Sequence, residues 1–374
     1  MRKNSKKIIA FALTCTSIFA MFGCQKDKGI VLPNVTTAKN VILLIGDGMG
    51  QQHIRAGEIY NEGKLTMQKF PYSVMVETRS WDSEVTDSAA AATAMATGVR
   101  TLNGFIGMSE YAEPLETIID IASALGKRTG VITTEGLTGA TPMGFSSHSI
   151  SRDNSNELLI EAVNSNVNLF LCDLYSGEEN LLNGGYEKVV DPNDISKMTG
   201  DKLCGSYAIL ASAPSMMVSE DYCALDGLVV EALEYLSQDP DGFFLMAEGA
   251  RIDKMSHNNE FELMLNELMA FDNAVAAVLE WAKERDDTVV IVTADHETGA
   301  LELSSKMRKK NMFTASGFEL GGYYQWNSIN HSGDDVYCFI NGANIDFSKY
   351  SFNSKKRIKN TDIFQIMKSL MAGF

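Results

Sequence analysis

Several short apolar runs rich in β-branched residues punctuate the chain. Val41-Ile42-Leu43-Leu44-Ile45 ends on Gly46-Asp47-Gly48, and Gly130-Val131-Ile132-Thr133, Phe243 to Ala247 and Thr288 to Thr293 have the same character. Continuous runs of this length, bounded by turn residues, predict strands buried on both faces. Between them the hydrophobic period lengthens. Glu116 to Leu125 is amphipathic and closes at Gly126, and a helical stretch runs from about Glu260 to Lys283. Strands alternating with helices predict an α/β fold, a mostly parallel central sheet with helices on both faces. No internal repeat or long linker interrupts residues 39–374, which read as a single domain.

In such sheets functional side chains gather beyond the carboxyl ends of the strands. Asp47 follows the first strand, Glu248 follows Phe243–Ala247, and Asp295-His296 follow Thr288–Thr293. Two polar groups beside a core strand demand partners. Asp253 and His257, four residues apart, share a face if their segment is helical. With His331 they make an inventory of carboxylates and imidazoles that suits zinc beside a harder ion such as magnesium. Ser88 precedes the alanine run Ala89 to Ala92, a good helix former, and so lies at or near a helix start. Asp87 or Ser88 can simply cap that helix. The same helix start favours an anion, an alkoxide or a bound phosphate.

Composition narrows the class. Of 374 residues, 45% are hydrophobic and 21% charged, as in ordinary globular proteins. A formal net charge of −16 excludes broad electrostatic binding to nucleic acid or anionic lipid. It leaves an anionic substrate open, because bound divalent cations invert the local field. Residues 1–23 read as a signal peptide, with a basic stretch from Met1 to Lys7 and an apolar run from Ile8 to Phe22 too short for a comfortable membrane span. Met21-Phe22-Gly23-Cys24 resembles a bacterial lipoprotein box, which makes Cys24 the lipidated residue and residues 24–38 a tether. The expected location is exported, as a periplasmic or outer-membrane lipoprotein. Cys172, Cys204, Cys223 and Cys338 match no zinc cassette, and export permits either disulfides or buried free thiols.

Six blocks then carry a resemblance. They are Asn40 to Gly50; Thr86 to Ala94, continuing through Thr97-Gly98-Val99 to Asn103-Gly104; Ala140-Thr141-Pro142 with His148 and Arg152; Phe243 to Lys254 with His257; Val292 to His296; and Asn330-His331-Ser332-Gly333. In this order they resemble the motifs of the alkaline phosphatase family, from Asn40 to Gly333. The resemblance implies an alkaline phosphatase-like catalytic domain that hydrolyses phosphate monoesters through a phosphoserine on Ser88. It implies two zinc ions, one held by Asp253, His257 and His331 and the other by Asp295, His296 and Asp47, with Ser88 at the centre as a metal-held nucleophile. Asp47 would also reach a third site, for magnesium, shared with Thr141 and Glu248. Arg152 would grip the non-bridging phosphate oxygens, a bidentate task, and Lys254 would face the phosphate through water. His148 has no ligand role, and His53 reads as a surface or helix residue.

The implied partners are small phosphomonoesters and the membrane through Cys24; a homodimer is allowed, and nucleic acid is not a partner. One position departs from the family. Where relatives commonly carry Asp or His, two residues before Thr141, this chain has Gly139. The expectation is a third site that holds magnesium loosely and tightens in Gly139→Asp. Rival readings are a phosphodiesterase or nucleotide pyrophosphatase of the same superfamily, and a non-catalytic, lipid-anchored phosphate-binding protein. Arg152 with the pair Thr141 and Glu248 favours monoesters over diesters.

Overall fold

The apolar runs pair edge to edge. The computed structural model describes residues 37–173, 178–209, 211, 222–313, 316–342 and 357–372; the leader, Cys24 and most of the tether lie outside them. In chain order the strands are β1 (Asn40–Gly46), β2 (Tyr72–Glu77), β3 (Arg128–Thr133), β4 (Leu169–Asp173), β5 (Glu187–Lys188), β6 (Leu203–Ile209), β7 (Tyr222–Cys223), β8 (Phe243–Gly249), β9 (Thr288–Thr293), β10 (Glu297–Thr298), β11 (Leu301–Leu303), β12 (Tyr324–Trp326), β13 (His331–Ser332), β14 (Val336–Gly342) and β15 (Arg357–Lys359). The α-helices are α1 (Gln51–Asn61), α2 (Ser88–Thr97), α3 (Ile118–Ala124), α4 (Ala140–Ser146), α5 (Ser155–Asn164), α6 (Glu178–Asn183), α7 (Leu225–Leu236), α8 (Arg251–His257), α9 (Phe261–Ala282) and α10 (Asn360–Ala372).

Eleven strands make one sheet in the order β15-β2-β14-β9-β1-β8-β3-β4-β6-β5, with β7 on β6. Every pairing is parallel except those of β14 with β2 and β9. The central strands β1, β8 and β9 are buried at every residue, as continuous apolar runs require. Helices α2, α3, α4 and α10 pack together on one side, and α1, α7, α8 and α9 on the other. The expected α/β layering is what forms.

Boundaries moved by one or two residues. Thr117 caps α3 with its side chain, so the helix starts later than Glu116, and Gly126 takes the left-handed conformation just after it. Glu248 belongs to β8 itself, because the strand runs on to Gly249. All ten residues of α2 are buried, and its alanines let α4 approach closely: a Cβ on Gly144 would stand 2.6 Å from the Ala92 Cβ. The four described cysteines are buried free thiols, and burial pushes Cys338 up to about 12, so they are inert.

Between His296 and His331 the chain forms small antiparallel pairs, β11 with β12 and β10 with β13. The second sets Thr298 opposite His331. That register brings a residue from late in the chain back to the carboxyl ends of β1, β8 and β9.

Candidate active site and metal centre

The sheet register assembles the site's floor. Ile45 pairs with Glu248 on one side and Thr293 on the other, and Thr133 pairs with Glu248. Asp47, Glu248 and Asp295-His296 therefore leave adjacent strand ends at one level. Helices and one short strand supply the rest: Ser88 opens α2, Thr141 lies in the first turn of α4, α8 carries Asp253 in its first turn and His257 at its end, and β13 brings His331. All the sequence-derived metal-site residues fall in this one place. Asp47, Ser88, Thr141, Glu248, Asp253, Asp295 and His296 are buried, while His257 and His331 are half-buried at the rim.

Asp253, His257 and His331 form the first donor set. His257 Nε2 is 3.3 Å from Asp253 Oδ2, and His331 Nε2 is 3.7 Å from Asp253 Oδ1. The two Nε2 atoms face each other at 3.2 Å. Each ring has its Nδ1 against a carbonyl, Ile329 O at 2.5 Å and Thr86 O at 2.9 Å. A carbonyl can only accept, so both Nδ1 atoms carry protons and the two Nε2 lone pairs converge on one point. This is how imidazole ligands are oriented for a cation. Burial opposes ionisation of Asp253, but in the metal-free site His257, when protonated at both nitrogens, and the Thr298 hydroxyl donate to it and hold its carboxyl well below the usual range.

His296 is the hinge of the second set. Its Nε2 lies 3.1 Å from Asp295 Oδ2, 3.5 Å from Asp47 Oδ1 and 3.1 Å from Ser88 Oγ. Donor atoms of Asp47, Asp253 and His296 also lie within 4.8 Å of one another, so the two sets adjoin at Asp253. Burial lowers the His296 pKa, against the pull of Asp295 and Asp253, which favours the neutral ring that a ligand needs.

Four buried oxygens here make no well-formed hydrogen bond, Asp47 Oδ1, Thr141 Oγ1, Glu248 Oε1 and Asp295 Oδ2, the two aspartate oxygens having only His296 Nε2 nearby. A buried neutral group left unsatisfied costs about 1–3 kcal/mol, and charged groups more. Burial and the neighbouring Asp295 push Asp47 up, and burial and Glu135 push Glu248 up to about 8. Three carboxylates and a hydroxyl with this much unused acceptor capacity fit divalent cations.

Asp87, just before Ser88, holds the end of the site where α2 begins. Its Oδ1 accepts from Ala90 N at 3.0 Å, and its Oδ2 accepts from Gly104 N and Arg152 Nη1, each at 3.0 Å. Asn103 braces the same loop, accepting from Asp87 N and donating to Val85 O. Burial opposes the charge on Arg152, but Asp87 raises its pKa, so the guanidinium stays charged beside Ser88. Lys254, an exposed residue, has Nζ 2.9 Å from Glu135 Oε2; partial desolvation opposes its charge, but Glu135 and Asp47 raise its pKa. His148 is satisfied by Leu115 O and Glu161, a structural role as expected.

Of the two readings given for His53, helix holds, since it lies in α1, and surface does not. It is fully buried behind α8, with Nδ1 accepting from Gly50 N and Nε2 at 3.0 Å from Ser256 Oγ, and burial lowers its pKa to about 4. Sequence reasoning missed Thr298, whose hydroxyl donates to Asp253 Oδ1 at 2.5 Å, and Thr133, which donates to Glu248 Oε2 at 2.5 Å. It also missed Glu135. None carries a sequence signal, since their partners lie far along the chain.

The comparisons with known proteins agree with this geometry. A family model described as alkaline phosphatase matches residues 38–202 and 183–319. Alkaline phosphatase 3 of Bacillus subtilis (strain 168) is 32% identical over 336 residues, 82% of this chain and 72% of that protein. The alkaline phosphatase of Escherichia coli (strain K12) is 31% identical over 330 residues, 69% of this chain and 70% of its own. Among solved structures, the alkaline phosphatase of the Antarctic bacterium TAB5 superposes with a TM-score of 0.74 at 26% identity, covering 90% of this chain and 98% of that one. A histidine-to-aspartate mutant of that enzyme has magnesium bound in its M3 site.

Proposed function

This chain belongs to the alkaline phosphatase family of phosphoester hydrolases, and we propose that it hydrolyses phosphate monoesters by way of a phosphoserine on Ser88. The observation that carries the reading is the place of Ser88 Oγ, 3.1 Å from His296 Nε2 in the carboxylate and imidazole cluster, with Arg152 bound to the adjacent Asp87.

Asp253, His257 and His331 would hold one zinc, Asp47, Asp295 and His296 the other, and Asp47, Thr141 and Glu248 a magnesium. Bound cations there supply Lewis-acid charge that favours the Ser88 alkoxide and neutralises oxygens of the ester and of the attacking water. Ser88 Oγ forms a bond to phosphorus as the ester P–O bond breaks, and the alcohol leaves with a proton. Water then attacks phosphorus from the same side of the site, breaking the Ser88 Oγ–P bond and releasing inorganic phosphate and the serine hydroxyl. Arg152, oriented by Asp87, and the first turn of α2 face the charge on the remaining phosphate oxygens. Lys254 stands on the phosphate side at the rim. A monoester offers one more charged oxygen to this surround than a diester does.

Turnover of p-nitrophenyl phosphate, bis(p-nitrophenyl) phosphate and p-nitrophenyl sulfate on one metal-loaded sample tests the substrate class. The monoester should dominate by orders of magnitude; a preferred diester or sulfate would overturn the reading. Metal analysis of the purified protein should find about two tightly held zinc ions per chain. We further propose export with lipidation at Cys24, since Met21-Phe22-Gly23-Cys24 follows an apolar leader. Mass spectrometry of the mature N-terminus checks it, and an unmodified start at or beyond Gln25 would reject it.

A further inference from the structure

Gly139 leaves no gap beside the third cation site. Its backbone, φ −55° and ψ 149°, is one that any residue adopts, so conformation does not demand glycine there. A Cβ at this position would lie 2.0 Å from Glu135 Oε1, 2.5 Å from its Cδ and 2.9 Å from its Cγ. The Glu135 carboxylate therefore occupies the volume that a side chain at 139 would use, and the two cannot coexist unmoved.

Glu135 is tied into the site at both ends. Its Oε2 is 2.9 Å from Lys254 Nζ. Its backbone N donates to Thr133 Oγ1 at 3.2 Å, its carbonyl accepts from Asp173 N at 2.9 Å, and Thr133 Oγ1 donates to Glu248 Oε2. The side chain is only 18% exposed, shielded enough for its charge to be felt.

We propose that Glu135 is the carboxylate that position 139 lacks: a positioning residue that completes the anionic surround of the magnesium site and fixes Lys254 at its rim. The proposal rests on the reading of Asp47, Thr141 and Glu248 as that site. Magnesium keeps several of its waters when bound, and carboxylates beyond the direct ligands accept from those waters. Losing such a partner typically costs about 10–100-fold in metal affinity. An acid from the loop after β3 can serve as well as one from α4, provided residue 139 is small. The third site is then not loosely held, and the expectation drawn from Gly139 alone gives way. Gly139→Asp on its own evicts Glu135 and brings no net gain.

The test is a magnesium titration of zinc-loaded, magnesium-stripped protein, read by calorimetry and by the bound fraction of manganese in electron paramagnetic resonance. Glu135→Gln should weaken the third cation about 10–100-fold while zinc content stays at the parental level. Gly139→Ala, whose methyl displaces the carboxylate without removing it, should weaken it too. Glu135→Ala with Gly139→Asp should recover most of what Glu135→Ala loses, a rescue that a merely structural glutamate would not give. A parent that binds a third cation as tightly as Glu135→Gln does overturns the proposal and leaves the site reading intact. A parent that takes up no third cation overturns both.

Discussion

Asp87 and Ser88 split between them the two tasks open to a helix start. The Asp87 carboxylate caps α2 through Ala90 N and also receives Arg152, which leaves the Ser88 hydroxyl turned to His296. Stability and turnover should therefore separate in mutants. Ser88→Ala keeps the cap and removes one buried hydroxyl, so it should cost about 0.5 kcal/mol of stability, less than loss of the cap. It should cut turnover by several orders of magnitude and abolish acid-trapped label on the protein. Asp87→Ala should cost about 1 kcal/mol of stability and raise KM as Arg152 loses its anchor. Equal stability losses in the two variants would contradict the division. The clustering of these groups was legible because acidic and imidazole side chains at strand ends are chemically conspicuous. Thr298 and Thr133 were not: a threonine in sequence says nothing until folding brings it to Asp253 or Glu248, 45 and 115 residues away. Glu135 was hidden for the same reason, and Gly139 looked like a vacancy because only the fold shows what fills it.

At the level of elements, the apolar runs gave β1, β3, β8 and β9 to within two residues, since strands buried on both faces have no polar alternation to blur them. The reversed direction of β14 and the β10–β13 pair escaped, because pairing partners are chosen by tertiary context rather than local pattern. So did the close contact of α2 with α4, where Gly144 faces Ala92. That contact sets the spacing between Ser88 and Thr141, one on each helix. Gly144→Ala would gain about 1 kcal/mol from helix propensity. Its methyl would also meet Ala92 Cβ at 2.6 Å and backbone atoms at 3.2 Å, and overpacking of that kind costs about 1–3 kcal/mol. The expected balance is a net loss near 1 kcal/mol in denaturant unfolding, with kcat falling as the helices part. A variant more stable than the parent, with kcat unchanged, would show that the two helices have slack.

The molecule as a whole carries a formal charge of −16 and gathers Asp47, Glu248, Asp253 and Asp295 at one buried centre, an arrangement that cations must hold together. The pH dependence of stability should report this. In the metal-free protein burial and Glu135 raise Glu248 from 4.5 to about 8, and Asp47 is raised as well. Between those values the folded state binds more protons than the unfolded one, so stability falls as pH rises through this range. His257, raised by its bond to Asp253, acts in the same direction above 6.5. Burial lowers His53 and His296 below 6.5, so their stabilising contribution is complete by that pH and does not oppose the fall. From pH 6.5 to 8 the thermal midpoint of chelator-treated protein should therefore decline. Bound cations replace the protons on these carboxylates, so the metal-loaded protein should stay nearly level and the gap between the two should widen with pH. Glu248→Gln should flatten the decline of the metal-free protein and shrink the gap at pH 8. A metal-free midpoint that is level or rising over this range, or a decline unchanged in Glu248→Gln, would mean that the buried carboxylates are not what the cations neutralise.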